Sequence, residues 1–184
     1  FKADEVLERI NDLTSLIIIN SPGNPTGGVI PRQEIEKLVI GLEAYPNVTI
    51  LSDEIYSRLL YGKQKHTSFL EFPSIRSRLI VLNGWSKTYA VTGWRLGYSV
   101  WPNRLLEYAN RLCVNNHSCV NTASQFAGLA ALKGSQNIVN EMLLEFDKRR
   151  NFIVSALNKI PGISCREPGG AFYVFPNIKN TGLS

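Results

Sequence analysis

The sequence predicts an α/β fold: a mixed, mostly parallel sheet covered by helices on both sides. Three observations carry this. Leu16-Ile17-Ile18-Ile19, Val48-Thr49-Ile50-Leu51 and Leu79-Ile80-Val81-Leu82 are apolar or β-branched runs that each stop at polar or turn-forming residues, as strands buried on both faces do. Helical spacing separates the first two, and alternation of strand and helix implies a sheet with helical crossovers. The apolar fraction of 44% and aromatic fraction of 10% supply enough side chains for a packed core.

Taken in order, the first strand stops at Asn20-Ser21-Pro22-Gly23. Pro31 stands where a first helical residue belongs, and Ile35, Leu38, Val39 and Leu42 recur at helical spacing until Pro46-Asn47. The second strand ends at Ser52-Asp53, the third at Asn83-Gly84, and Gly97 to Trp101 forms a fourth. Leu105 to Leu112 and Ala123 to Leu132 read as helices, Gly134 ending the second. Ile138 to Ile160 is a long helical pattern stopped by Pro161-Gly162, with Val139, Met142, Leu143, Phe146, Phe152, Ile153, Ala156 and Leu157 on its apolar side. Ile163 to Cys165 and Ala171 to Phe175 read as strands around the Pro168-Gly169-Gly170 turn. A domain change is expected near residue 140, giving one unit over 1–140 and another over 141–184.

The net charge of +5 raises nucleic-acid binding, but Lys63, Lys65, Arg76, Arg78, Arg104, Arg111 and Lys148 to Arg150 are scattered. A solvated surface is the expectation, with no nucleic-acid partner. Cys113, Cys119 and Cys165 suit neither a zinc site nor a disulfide framework, so reduced thiols, a cytoplasmic setting and no bound metal are expected. No run reaches membrane-spanning length and no signal peptide is visible, so no membrane partner is expected. Phe1 at one end and Thr181 to Ser184 at the other read as cut ends of a longer protein.

In open α/β sheets ligands bind outside the carboxyl ends of the strands. The polar residues gather there: Asn20 to Gly27 after the first strand, Asp53 and Tyr56 after the second, Ser86 and Lys87 after the third. Singly these signals are modest. Asn24-Pro25-Thr26-Gly27 is a turn by composition, Asp53 reads equally well as a helix cap, and Ser86-Lys87 as a solvated loop. Arg95, between Trp94 and Leu96, calls for a negatively charged partner.

Together they resemble a family. The segment Gly84-Trp85-Ser86-Lys87-Thr88-Tyr89-Ala90-Val91-Thr92-Gly93-Trp94-Arg95-Leu96-Gly97 is similar to the lysine signature of the class I and II aminotransferases. Asn24-Pro25-Thr26-Gly27 and Asp53-Glu54-Ile55-Tyr56 resemble two further cofactor motifs of that family, in the same order. The resemblance runs from about Leu16 to Phe175. It implies the central part of the large domain of the fold type I pyridoxal-phosphate (PLP) enzymes, plus the start of the small C-terminal domain.

The resemblance also implies roles. Lys87 would hold PLP as a Schiff base and then move the proton at the substrate Cα, since a lysine amine can both form an imine and act as a base. Asp53 would face the pyridine nitrogen, and a contacting carboxylate favours its protonated form. Asn24 and Tyr56 would bond the phenolic oxygen. Ser86 and Arg95 would hold the phosphate, for which a guanidinium fork is suited. Tyr61, Tyr89, His66 and His117 read as packing or surface. The loop Asn115-Asn116-His117-Ser118 lies where the family brings a partner subunit near, and Gly170-Ala171-Phe172-Tyr173 resembles the start of the small domain, near substrate.

The implied activity is transfer of an amino group from an L-amino acid to a 2-oxo acid by a cytoplasmic homodimer. Carbon–sulfur lyases, cyclopropane-forming synthases and effector domains of transcription regulators share these motifs and stay open. The resemblance places the rest of the phosphate-binding loop and a ring-stacking aromatic before Phe1, and the substrate-carboxylate arginine after Ser184. The 184 residues alone are therefore expected to turn over poorly.

Overall fold

A computed structural model describes residues 1–182. Four strands, β1 (Leu16–Asn20), β2 (Thr49–Asp53), β3 (Leu79–Gly84) and β4 (Gly97–Val100), form one sheet in the order β1-β2-β3-β4. The first three run parallel, and β4 returns antiparallel to β3. The helices are α1 (Ala3–Leu7), α2 (Arg32–Gly41), α3 (Trp85–Thr88), α4 (Asn103–His117), α5 (Thr122–Lys133) and α6 (Asn137–Leu157).

The core forms where the apolar stripe of α2 meets one face of the sheet. Ile35, Leu38 and Val39 of α2, with Leu42 just beyond it, pack on Ile19, Ile50 and Val81 from three different strands. Leu38, Leu42 and Ile50 are fully buried, each contributing about 2 kcal/mol of apolar transfer free energy. The buried Arg78 seals the C-terminal end of this helical layer. Its guanidinium donates to the carbonyls of Leu42 (2.8 Å), Tyr45 (2.5 Å) and Val48 (3.1 Å), so no buried donor is stranded.

Three expectations are corrected. Helices do not cover both faces along the whole sheet: Ile18 is 67% exposed, and all four residues of β4 are exposed. Ile163 to Cys165 and Ala171 to Phe175 are not strands. A single bridge joins Ser164 to Asn177, and Ala171 spends its N–H on Leu59 O, so no ladder forms. Asn115 to His117 belong to α4 rather than to a loop, because Asn115 Nδ2 donates to the Arg111 carbonyl one turn back (2.7 Å) instead of breaking the helix. Among the described residues no helix is long and apolar enough to cross a membrane, and no group of three or more His, Cys, Asp or Glu is placed to hold a metal ion.

Candidate active site

Strand register assembles the site. Asn20 lies opposite Asp53, and Asp53 opposite Leu82, so the ends of three parallel strands share one rim. Asn20 ties the first two loops together: its Nδ2 donates to Asp53 O (3.1 Å) while its Oδ1 accepts the Asn24 N–H (2.7 Å). The half-buried Asp53 accepts the Ile55 N–H on Oδ1 (3.1 Å). This Asx turn reverses the chain and delivers Tyr56 into the interior, 3% exposed.

The third strand runs directly into α3, which carries Ser86 and Lys87. Gly84 at that junction is constrained by close approach of backbones: a Cβ there would stand 2.9 Å from Leu96 O. The Trp85 N–H donates to the same carbonyl (3.2 Å), holding the Arg95 turn beside α3. Trp85 Nε1 donates to Gly128 O (2.9 Å) and fastens α3 to α5.

Lys87 is half-buried, and its Nζ stands 6.0 Å from the Tyr56 ring centroid and 5.6 Å from that of Phe172. Neither Lys87 nor Arg95 pairs with a carboxylate among the described residues. The Tyr56 hydroxyl meets the Tyr173 hydroxyl at 2.5 Å. Burial first, then that hydrogen bond, pushes the Tyr56 hydroxyl well above the ordinary tyrosine range, so it stays protonated at neutral pH.

Phe172 and Tyr173 reach this place because their segment is docked at several points. The N–H groups of Gly169 and Gly170 both donate to Gly27 O (2.9 Å), Ala171 N–H donates to Leu59 O (2.8 Å), and the Tyr61 hydroxyl donates to Ala171 O (2.5 Å). Ala171 adopts φ 57°. A left-handed alanine costs about 1 kcal/mol and persists only where its surroundings over-determine it.

The structure thus gathers Asp53, Tyr56 and Lys87, with Asn24 on an exposed turn bound to Asn20 and Ser86 half-buried beside Lys87. Arg95 lies on the turn beyond α3. It is exposed, left-handed at φ 54°, and donates to Thr92 O (3.0 Å), lining a cavity of about 1160 Å³ with Asn83, Tyr98, Ser99 and Ser118. His66 and Tyr89 bond Glu54 and Gln136 respectively, and His117 is exposed on α4. Sequence reasoning missed Glu54, a buried carboxylate accepting from Ser52 Oγ, Ser68 Oγ and Phe69 N–H besides its contact with His66. The available signal was an acid directly following an apolar strand, with a histidine twelve positions on.

Residues 1–182 match the family model for aminotransferase class I and II. An aspartate aminotransferase of Pyrococcus horikoshii is 39% identical over 183 residues, which cover 98% of this chain and 46% of that protein. An aspartate aminotransferase of Geobacillus stearothermophilus is 38% identical over 177 residues, covering 96% and 45%. The solved aspartate aminotransferase from Rhizobium meliloti superposes with a TM-score of 0.94 at 32% identity, covering 98% of this chain and 45% of that one. The chain spans about half the length of the curated relatives it matches.

Proposed function

This chain belongs to the class I and II aminotransferases, and on that premise we propose that the whole protein moves an amino group from an L-amino acid to a 2-oxo acid, with Lys87 holding PLP. The family depends on that cofactor. The reading rests on one observation: a carboxylate, a phenol and an amine with no acidic partner among the described residues converge at the strand ends.

The donor set suits the cofactor group by group. Asp53 has Oδ1 occupied by the Ile55 N–H, and Oδ2 has no protein partner among the described residues and is free to face a ring N–H. Tyr56 is a protonated donor for the phenolic oxygen, and Asn24 offers an amide to the same atom. Ser86 supplies a hydroxyl and Arg95, with no acidic partner among the described residues, a guanidinium for the phosphate. PLP, when bound, supplies an electron sink for the pair left when the substrate Cα loses its proton. Lys87 carries that proton, and the Asx turn beneath Asp53 keeps its carboxylate aimed while charge moves. Tyr56 holds its hydrogen bond through the neutral range because its own proton is tightly kept.

The proposal extends to organisation: residues 1–140 as part of the cofactor-binding domain, 141–184 as the interdomain helix and the start of a small domain. A homodimer is supported by apolar side chains exposed along α4 and α5, Leu112 at 66% and Phe126 at 70%. A cytoplasmic setting is supported by three free cysteines.

Borohydride reduction of the PLP-loaded whole protein should leave the cofactor label on the peptide containing Lys87. A label elsewhere, or none, sinks the proposal. An amino-acid panel assayed with and without 2-oxoglutarate then separates transfer from lyase chemistry, since only transfer requires the oxo acid.

A further inference from the structure

We infer that Tyr173 is a positioning residue for this site, acting through the hydroxyl of Tyr56; the inference rests on the function proposed above. The two oxygens stand 2.5 Å apart, so one hydroxyl donates and the other accepts. Where Tyr173 donates, the Tyr56 proton is released to point at a third group. Where Tyr56 donates, it has only lone pairs to offer. An oxyanion set against Tyr56 selects the first arrangement, and a chain of two hydrogen bonds in one direction is stronger than either bond alone.

The contact is built by the fold. Tyr173 follows a segment held by Gly27 O, Leu59 O and the Tyr61 hydroxyl, and Ala171 takes a left-handed conformation within it. The Tyr56 and Tyr173 rings meet nearly edge-on, 5.7 Å between centroids at 82°, which fixes both phenols. With no oxyanion set against it, Tyr56 is the donor, and burial and its bond to Tyr173 together raise its hydroxyl above the ordinary value; an oxyanion at Tyr56 reverses the pair. Tyr173 therefore sets the direction in which Tyr56 donates, and it couples the segment after α6 to the rim at Lys87.

The test is a double-variant cycle in the whole protein, reading the PLP dissociation constant by equilibrium dialysis. A parallel carbon-13 NMR titration of labelled tyrosines in the cofactor-free protein reports Tyr56 directly. Tyr173→Phe keeps the ring and should weaken PLP binding about fivefold, the typical worth of one hydrogen bond. In the same variant the Tyr56 resonance should titrate at lower pH than in the parent, because in the cofactor-free protein Tyr56 is the donor and loses the acceptor that held its proton. Tyr56→Phe should cost at least as much affinity, and Tyr56→Phe with Tyr173→Phe no more than Tyr56→Phe alone. Additive losses, or unchanged binding and titration in Tyr173→Phe, overturn the inference while the proposed function stands. A parent protein that takes up no PLP overturns both.

Discussion

The Glu54 carboxylate meets His66 Nε2 at 3.0 Å, with side chains only 5% and 14% exposed, and it also accepts Ser52 Oγ (3.0 Å), Ser68 Oγ (3.0 Å) and the Phe69 N–H (3.1 Å). One buried acid thus joins the end of β2 to the 66–69 segment, immediately beside Asp53.

Glu54→Ala strands these partners without an acceptor in the interior. The expected cost is about 3 kcal/mol of folding stability, read as a lower urea midpoint at unchanged slope. Glu54→Gln keeps one acceptor oxygen and should cost less.

Asp53→Asn tests charge at fixed geometry, because an asparagine Oδ1 still accepts the Ile55 N–H. The folded state should be retained while turnover of the whole protein falls roughly a hundredfold, the usual size for losing one charged catalytic group. Steady-state kinetics should place the loss in kcat. Unchanged kcat would remove Asp53 from the proposed site.

Gly27→Ala strikes the docking point of the segment that carries Tyr173. Gly27 has φ +65°, and an added Cβ would stand 2.3 Å from Pro168 Cβ and 2.9 Å from Gly170 O. Strain and overlap together should cost about 3 kcal/mol. Proteolysis should appear around residues 166–174 before the sheet region is cut.

Tyr61 gives a pH signature. Burial pushes its hydroxyl up to about 12 from an ordinary value of 10.0, the nearby Arg150 opposing in part. A raised folded value means a stability contribution fully present below pH 10 and lost as pH climbs through about 12. Chemical denaturation across that window should show a steeper alkaline decline in the parent than in Tyr61→Phe.

Much of the fold was legible because its signals are local. The β-branched run at Ile17 to Ile19 and the spacing of Ile35, Leu38, Val39 and Leu42 each identify an element from a few neighbouring residues, and those elements are present. The segment at Ala171 to Phe175 was misread for the same reason. It has strand composition, but a strand exists only where a partner backbone lies alongside, and its first N–H goes to Leu59 instead. The conformation of Arg95 was not legible at all: a left-handed turn at φ 54° leaves its side chain exposed between Trp94, 50% exposed, and the buried Leu96.

By itself the sequence determined the strands β1 to β4, the helix α2 and which polar residues stand at the strand ends, because periodicity and turn chemistry act over a handful of positions. Only the tertiary structure decided that Tyr56 meets Tyr173 across 117 positions and that Gly27 receives the 168–170 turn. Those outcomes depend on strand register and on the angle at which a loop leaves its strand, and no local pattern of side chains encodes either.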